Sequence, residues 1–456
     1  MSNVWFRPYL YVGGVGAGNY YEFWDRMLGF SFEKSVIPSE LTTWTLNITL
    51  DNDDGAFTPR TTGTYANLNW FNQLVSISTQ FNTPTGGTKL FDTSPFSAWA
   101  SQYFLGIVDG FDIVDDGVNS RVELTCVDFL TIAARAPSVG SLTNSANEYQ
   151  LSQINEAIGT LTTDYFSGTT ALPVPPGFPS NKVNVGFINM SVGFNPLNEG
   201  TEVDLTDVDS TGNVADVLNA SVLPSQYCVL IPAWIDRTTP GVTSTDYAVD
   251  YIGPYGIKST DAAGRPIGPL YEFVEGSATG DEIPFVEIDI GFQLDKMVNS
   301  AQLTNVTTST DVSAVNTASV IANGGRNASY TAIICKTTAE AQKQADLLVN
   351  RFSTPRYFPR SITINRAAVE ATGLSTTREA IKNLLSLRGL WSRCTVTYTP
   401  TGHSTPITDY CVVSGIRVDA TPGDMTVIVD LVPGVDYQSF VLDSTTLGVL
   451  DTNKLG

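Results

Sequence analysis

Apolar and polar residues alternate with a period of two in two separated stretches of this chain, and each stretch predicts a series of β-strands. Trp44, Leu46, Ile48 and Leu50 alternate with Thr45, Asn47 and Thr49, and the turn-forming run LDNDDG then stops the strand. LVSIS, FLGIVDGF and RVELTCVD follow, with Val75 and Ile77 against Ser76 and Ser78, and Val122, Leu124 and Cys126 against Glu123 and Thr125. Near the C-terminus SITI, CTVTY, VVSGIRVD and MTVIVDL repeat the series, with apolar faces at Ile362 and Ile364, at Cys394, Val396 and Tyr398, and at Met425, Val427, Val429 and Leu431.

The order of elements strengthens the correspondence. An apolar patch precedes the second strand of each copy, Leu68, Trp70 and Phe71 in one and Leu384, Leu385, Leu387, Leu390 and Trp391 in the other. A Gly-Ile step, Gly106-Ile107 and Gly415-Ile416, marks what reads as the same place in each. Two copies of one β-barrel in a single chain predict a ring-forming, architectural protein.

Between the copies the pattern changes. Leu151, Ile154, Ile158 and Leu161 predict an amphipathic helix, ALPVPPGFPSN marks a domain edge, and Val214, Val217 and Leu218 suggest a short helix. YCVLIPAWI and FVEIDIGFQL read as strands. Residues 337–352 predict the best helix of the chain, with a capping box at Thr337 and Glu340 and an apolar face of Ala341, Ala345, Leu348 and Phe352. The expected organisation is a first barrel over 1–136, one or two smaller mixed domains over 137–330, a second barrel over 331–435 and an extended tail over 436–456. The fold class is mainly β with short helices.

Composition agrees with several folded cores: 456 residues exceed one ordinary domain, and 42% are hydrophobic. No apolar run reaches the ~18–20 residues of a membrane helix, so an integral membrane protein is not expected. The opening MSNVWFRPYLYVGG lacks the charged-then-apolar order of a secretory signal. Five cysteines without CxxC spacing read as buried, reduced thiols of a protein folded in a cytoplasm; Cys394 and Cys411 are candidate strand neighbours. The net charge of −21 reads first as a soluble surface and disfavours tight nucleic-acid binding, which needs clustered Lys and Arg, while staying compatible with a channel that DNA slides through without sticking. Residues 331–435 alone are slightly basic, with 8 acidic and 11 basic residues.

Candidate chemistry is sparse, and no enzyme activity, cofactor or metal is expected. The single histidine, His403, lies in the turn PTGHSTP, so a His-dependent triad would rest on a loop residue and a multi-histidine metal site is impossible. LDNDDGA and the DVDSTG beginning at Asp207 lack the ligand spacing of an EF-hand, and GGVGAGN does not fit a dinucleotide fingerprint. No spacing singles out a glycosidase carboxylate pair.

The run ITLDNDDGAFTP, LVSIS, YFLGIVDGF and VELTCVDFLTIAAR resembles the N-terminal region of minor tail proteins of long-tailed bacteriophages. RFSTPRYFPRSITI, VVSGIRVDATPGDMTVIVDLVP and the final SFVLDSTTLGVLDTNKLG agree with it, and the whole is similar to baseplate hub, or tail-tip, proteins. The resemblance implies a homotrimer in which two tail-tube-like barrels per chain form a pseudo-hexameric ring, adapting a six-fold tube to three-fold symmetry. It also implies a place at the tail tip of the virion, assembled in the host cytoplasm. The implied partners are the tail tube or distal tail protein, the tape measure protein, and tail fibre or later tip proteins, with DNA passing through the lumen at ejection. No cell-wall-degrading segment is recognisable. The alternative is a receptor- or carbohydrate-binding tail protein of the same virion that uses middle-region aromatics. Phe440, Leu442, Leu447 and Leu450 are the candidate assembly contacts, packing on a neighbouring chain or on their own barrel.

Overall fold

The structure is a computed structural model. It describes residues 20–38, 40–66, 102–128, 271–292, 296–386 and 389–434, the shorter stretches 7–11, 74–78, 188–189, 213–222, 229–235 and 246–252, and residues 70, 131, 135 and 224. The helix expected at 151–161, the proline-rich segment, GGVGAGN, Asp207 and the tail residues Phe440, Leu442, Leu447 and Leu450 lie outside the described residues.

The chain is mainly β with short helices. Strands β1 (Arg7–Tyr11), β2 (Tyr20–Glu22), β3 (Met27–Ser35), β4 (Thr45–Asp51), β5 (Leu74–Ser78), β6 (Gln102–Asp115) and β7 (Ser120–Asp128) come first. Strand β8 (Ile188–Asn189), helix α1 (Val214–Val217), and strands β9 (Val229–Ile235) and β10 (Asp246–Ile252) follow, the strands forming a three-stranded sheet. Next are β11 (Tyr271–Glu275), β12 (Ile283–Phe285) and β13 (Glu287–Phe292), then β14 (Ser300–Asn305), β15 (Thr310–Val315), α2 (Thr317–Asn323), β16 (Asn327–Ile333) and α3 (Thr338–Phe352). The chain continues through β17 (Tyr357–Asn365), α4 (Arg366–Ala371), α5 (Ser375–Leu385), β18 (Arg393–Tyr398), β19 (Ile407–Ala420) and β20 (Met425–Pro433).

One 14-stranded sheet contains two strand sets of the same order, β3-β4-β7-β6-β5 and β13-β17-β20-β19-β18. Every pairing within both sets is antiparallel. The expected correspondence of β4 to β7 with β17 to β20 is therefore present, and each set gains a further strand, β3 or β13. Both long strands carry a bulge at the same point: the β6–β7 register shifts between Val108 and Gly110, and the β19–β20 register between Val413 and Gly415. This corrects the Gly-Ile match, because Gly415 corresponds to Gly110, while Gly106 corresponds to Cys411. A Cβ on Gly415 would stand 2.8 Å from the Asp430 carboxylate, and one on Gly110 3.3 Å from Thr125 Cβ, so the bulge brings each glycine close to its partner strand.

Alternation explains the core. Leu46, Ile48 and Leu50 of β4 and Ile362 and Ile364 of β17 are buried, and they pack in one hydrophobic cluster with Phe32, Trp44, Trp391, Val427 and Val429. Each such side chain contributes about 1.5–3 kcal/mol by leaving water. Trp70, of the expected apolar patch, packs against Phe23, Phe57 and Phe111. Cys394 and Cys411 are register partners and free thiols.

The expected boundary at 330/331 cuts β16. Strands β14 to β16 form a second three-stranded sheet, and α3 packs on it, with Ala341, Ala345 and Leu348 against Ala301, Leu303 and Ile333. The Thr337 hydroxyl caps α3 by accepting from the Glu340 N–H at 3.2 Å. This unit is inserted between β13 and β17, and α3 belongs to it instead of leading the second set. Strands β11 to β13, expected in the middle region, pair with the second set through β18 and β17.

Candidate functional site

Of the candidates for catalysis or metal binding, His403 and the LDNDDGA loop lie among the described residues. His403 is exposed in the β18–β19 loop, where its N–H closes a turn on Pro400 O at 2.9 Å. In LDNDDGA, Asp54 takes two hydrogen bonds from Arg26, at 2.7 and 2.9 Å, which hold its carboxyl down at about 2. Asp53 accepts from the Ser120 N–H at 2.7 Å. Buried Asn52 bridges the loop, accepting from the Phe57 N–H and donating to the Thr58 and Ser120 hydroxyls. No group of three or more His, Cys, Asp or Glu among the described residues is placed to hold a metal, and no described helix is long and apolar enough to cross a membrane.

The distinctive geometry is a joint between the two strand sets. One edge of β19 is covered by β20 along its upper length, while its other edge is shared, β18 pairing over Ile407–Val412 and β3 over Gly415–Ala420. A strand of the first set is thus hydrogen-bonded edge to edge with a strand of the second, in the register Lys34 to Ile416, Glu33 to Arg417 and Phe32 to Val418. The inner face of the joint is fully apolar apart from Lys34: Phe30, Phe32, Ile416 and Val418 are buried. On the outer face the Arg417 guanidinium donates to Glu33 at 3.1 Å, and that carboxylate raises the pKa of Arg417.

Lys34 shares the apolar phase of Phe30 and Phe32, and its side chain is 1% exposed. Its ammonium donates to Leu385 O at 2.5 Å and Ser386 O at 2.7 Å, at the C-terminal end of α5. It also lies 5.5 Å from the Phe32 ring centroid and 5.7 Å from that of Trp44. A helix C-terminus presents unpaired carbonyls and a partial negative charge, so the buried cation ties a strand of one set to a helix of the other. A lysine in phase with two phenylalanines was the sequence signal for this residue, and strand-pattern reading passed over it.

Beside the bulge at Ser414 lies a cleft of about 370 Å³ lined by Asp289, Asp430, Lys296 and Arg360. Two acidic and two basic side chains balance there, and Arg360 already donates to Asp289 at 2.7 Å. The cleft therefore offers no net charge to draw an ion.

The sheet face opposite the core is polar. It presents Thr45, Asn47 and Thr49 of β4, Glu123 and Thr125 of β7, Asp112 of β6, Thr363 of β17, and Asp419 and Arg417 of β19, each on the opposite phase from the buried residues of its strand. Its charge is mainly acidic, and its cations are held in ion pairs such as Arg121 with Glu123.

No protein-family model matches the chain, and no curated protein does. Solved structures are similar to it over nearly the whole length. The tail protein from Neisseria meningitidis MC58 is 10% identical with a TM-score of 0.50, over 93% of this chain and 96% of that one. The 43 kDa tail protein of prophage MuSo2 from Shewanella oneidensis is 9% identical with a TM-score of 0.51, over 95% of this chain and 99% of the other. At such identities the likeness is one of fold, shared with these two tail proteins.

Proposed function

We propose that this chain is a structural protein of a phage tail, a homotrimeric baseplate or tail-tip hub without catalytic activity. One observation carries the reading: a single chain holds two strand sets of one topology, already joined side by side through β3 and β19. Each set fills one position of a ring, so three chains supply six positions and match a six-fold tube on one side with three-fold symmetry on the other. The two sets are then the two tail-tube-like barrels of the chain. The polar, mainly acidic face lines the lumen and repels the phosphate backbone of DNA passing at ejection. The remaining partners are the tube or distal tail protein, the tape measure protein, and fibre or later tip proteins. Phe440, Leu442, Leu447 and Leu450 pack the tail of the chain on a neighbour.

Native mass measurement and particle imaging of the full chain test the reading. A trimer with a pseudo-six-fold ring is expected; a monomer at all concentrations, alone and with a tail tube protein, refutes it. Deleting residues 436–456 weakens the trimer if the tail packs between chains, and unchanged assembly removes that assignment.

A further inference from the structure

The 14-stranded sheet has two strand edges that match each other. Along the path β13-β17-β20-β19-β3-β4-β7-β6, the outer edge of β13 carries no strand among the described residues, and neither does the edge of β6 over Gly110–Asp115. Their counterparts, β3 and the upper half of β19, are the strands that pair at the internal joint. The two edges lie at opposite ends of the path, so among the described strands each finds its matching edge on another copy of the chain. Strand-edge backbone groups left unpaired favour such an addition.

We propose that β13 of one copy pairs with the upper edge of β6 in the next, in the register of the internal joint. Resting on the ring reading above, this names the contact that closes the ring. Carried across the equivalence of the two sets, the register places Phe111 opposite Phe292, Asp112 opposite Gly291, Ile113 opposite Ile290 and Val114 opposite Asp289.

Two independent observations support it. The first is burial: Phe30, Phe32, Ile416 and Val418 are buried at the internal joint, whereas their counterparts are incompletely covered. Ile288, Ile290, Phe111 and Ile113 are only partly buried, and Phe292 is 55% exposed. These are the apolar positions that a neighbouring strand covers.

The second is charge. At the internal joint Arg417 of β19 meets Glu33 of β3. At the outer edges Asp112 of β6 takes the place of Arg417, and Gly291 of β13 takes the place of Glu33. The space above Gly291 is filled by the Arg360 guanidinium, whose Cζ lies 3.2 Å from where a Cβ would stand. In the proposed contact Arg360, which also donates to Asp289, would meet Asp112 and re-form the pair with its signs exchanged. The exchange also opposes wrong pairings, since β6 against another chain's β3 sets Asp112 on Glu33, and β19 against β13 brings Arg417 to Arg360.

The test is cysteine cross-linking in the full chain under mild oxidation. Val114→Cys with Asp289→Cys is expected to give covalent dimers and trimers, and Val114→Cys with Glu287→Cys, two residues out of register, much less. Asp112→Arg, at an exposed position, is expected to raise the concentration for half-assembly at least about tenfold, and adding Gly291→Glu, which recreates the internal pair, to restore most of it. A trimer that forms without the 114–289 cross-link, or that cross-links better through 287, overturns this contact and leaves the ring reading standing. A monomer throughout overturns both.

Discussion

Replacing Lys34 by methionine removes the buried cation that holds the two strand sets together and keeps the unbranched stem that fills its site. The Leu385 and Ser386 carbonyls, now taking bonds of 2.5 and 2.7 Å, would be left buried without that donor. Each such acceptor costs about 1–3 kcal/mol, and the lost charge at the end of α5 adds about 0.3–1 kcal/mol. Against this, methionine needs no desolvation of an ammonium, a term of several kcal/mol in a site this dry. The ammonium's contacts with the Phe32 and Trp44 rings are lost as well, but the methionine stem fills the site, so no large cavity opens. The expected net loss is about 2–4 kcal/mol. Urea unfolding followed by tryptophan fluorescence is a suitable measurement, because Trp44 and Trp391 are both buried in the joined core. A loss below about 1 kcal/mol would refute the reasoning: desolvation would then offset the two hydrogen bonds, and Lys34 would not be what fixes β3 to α5.

Asp128, buried with its Oδ1 accepting from the Thr131 N–H at 2.7 Å, has a carboxyl pushed up to about 6, chiefly by burial. A carboxyl raised in the folded state is protonated folded while ionised unfolded between about pH 4 and 6, so it favours folding most at low pH and opposes it by about 2–3 kcal/mol at pH 7. Asp128→Asn should therefore be the more stable protein at pH 7, by an advantage that shrinks toward pH 4.5; thermal melts showing a constant gap would contradict this. Cys126, Cys335, Cys394 and Cys411 are buried, and burial raises all four thiols, Cys335 to about 12, so none should react with an aromatic disulfide reagent until the protein is denatured. Rapid native labelling at any of the four, located by peptide mapping, would count against the packing described. Gly106→Ala should prevent folding or cost more than about 3 kcal/mol, because its Cβ would lie 2.0 Å from Val127 O, while Gly110→Ala, 3.3 Å from Thr125 Cβ, should cost about 1 kcal/mol. Equal effects in a denaturant series would place the close approach elsewhere.

Alternation along the chain was enough to find β4 to β7 and β17 to β20, their order and their apolar faces, and the Thr337 cap was equally legible. Those features depend on neighbours in sequence: the pleat sets a period of two, and a hydroxyl reaches an amide three residues on. Strands β3 and β13 escaped as a matching pair although Phe30 and Phe32, and Ile288 and Ile290, alternate. Residues 36–44 separate β3 from β4, whereas residues 293–356, with an entire folded unit, separate β13 from β17. The glycine match slipped for a related reason, since a bulge is defined by the partner strand and has no signature in its own sequence. Lys34 reads in sequence as a break in an apolar face, and only the end of α5, about 350 residues away, makes it a buried donor. The joint between β3 and β19 lies furthest from sequence reading: every strand edge offers the same backbone groups, so the side-chain pattern sets which face is buried, and the tertiary fold decides which edge is met.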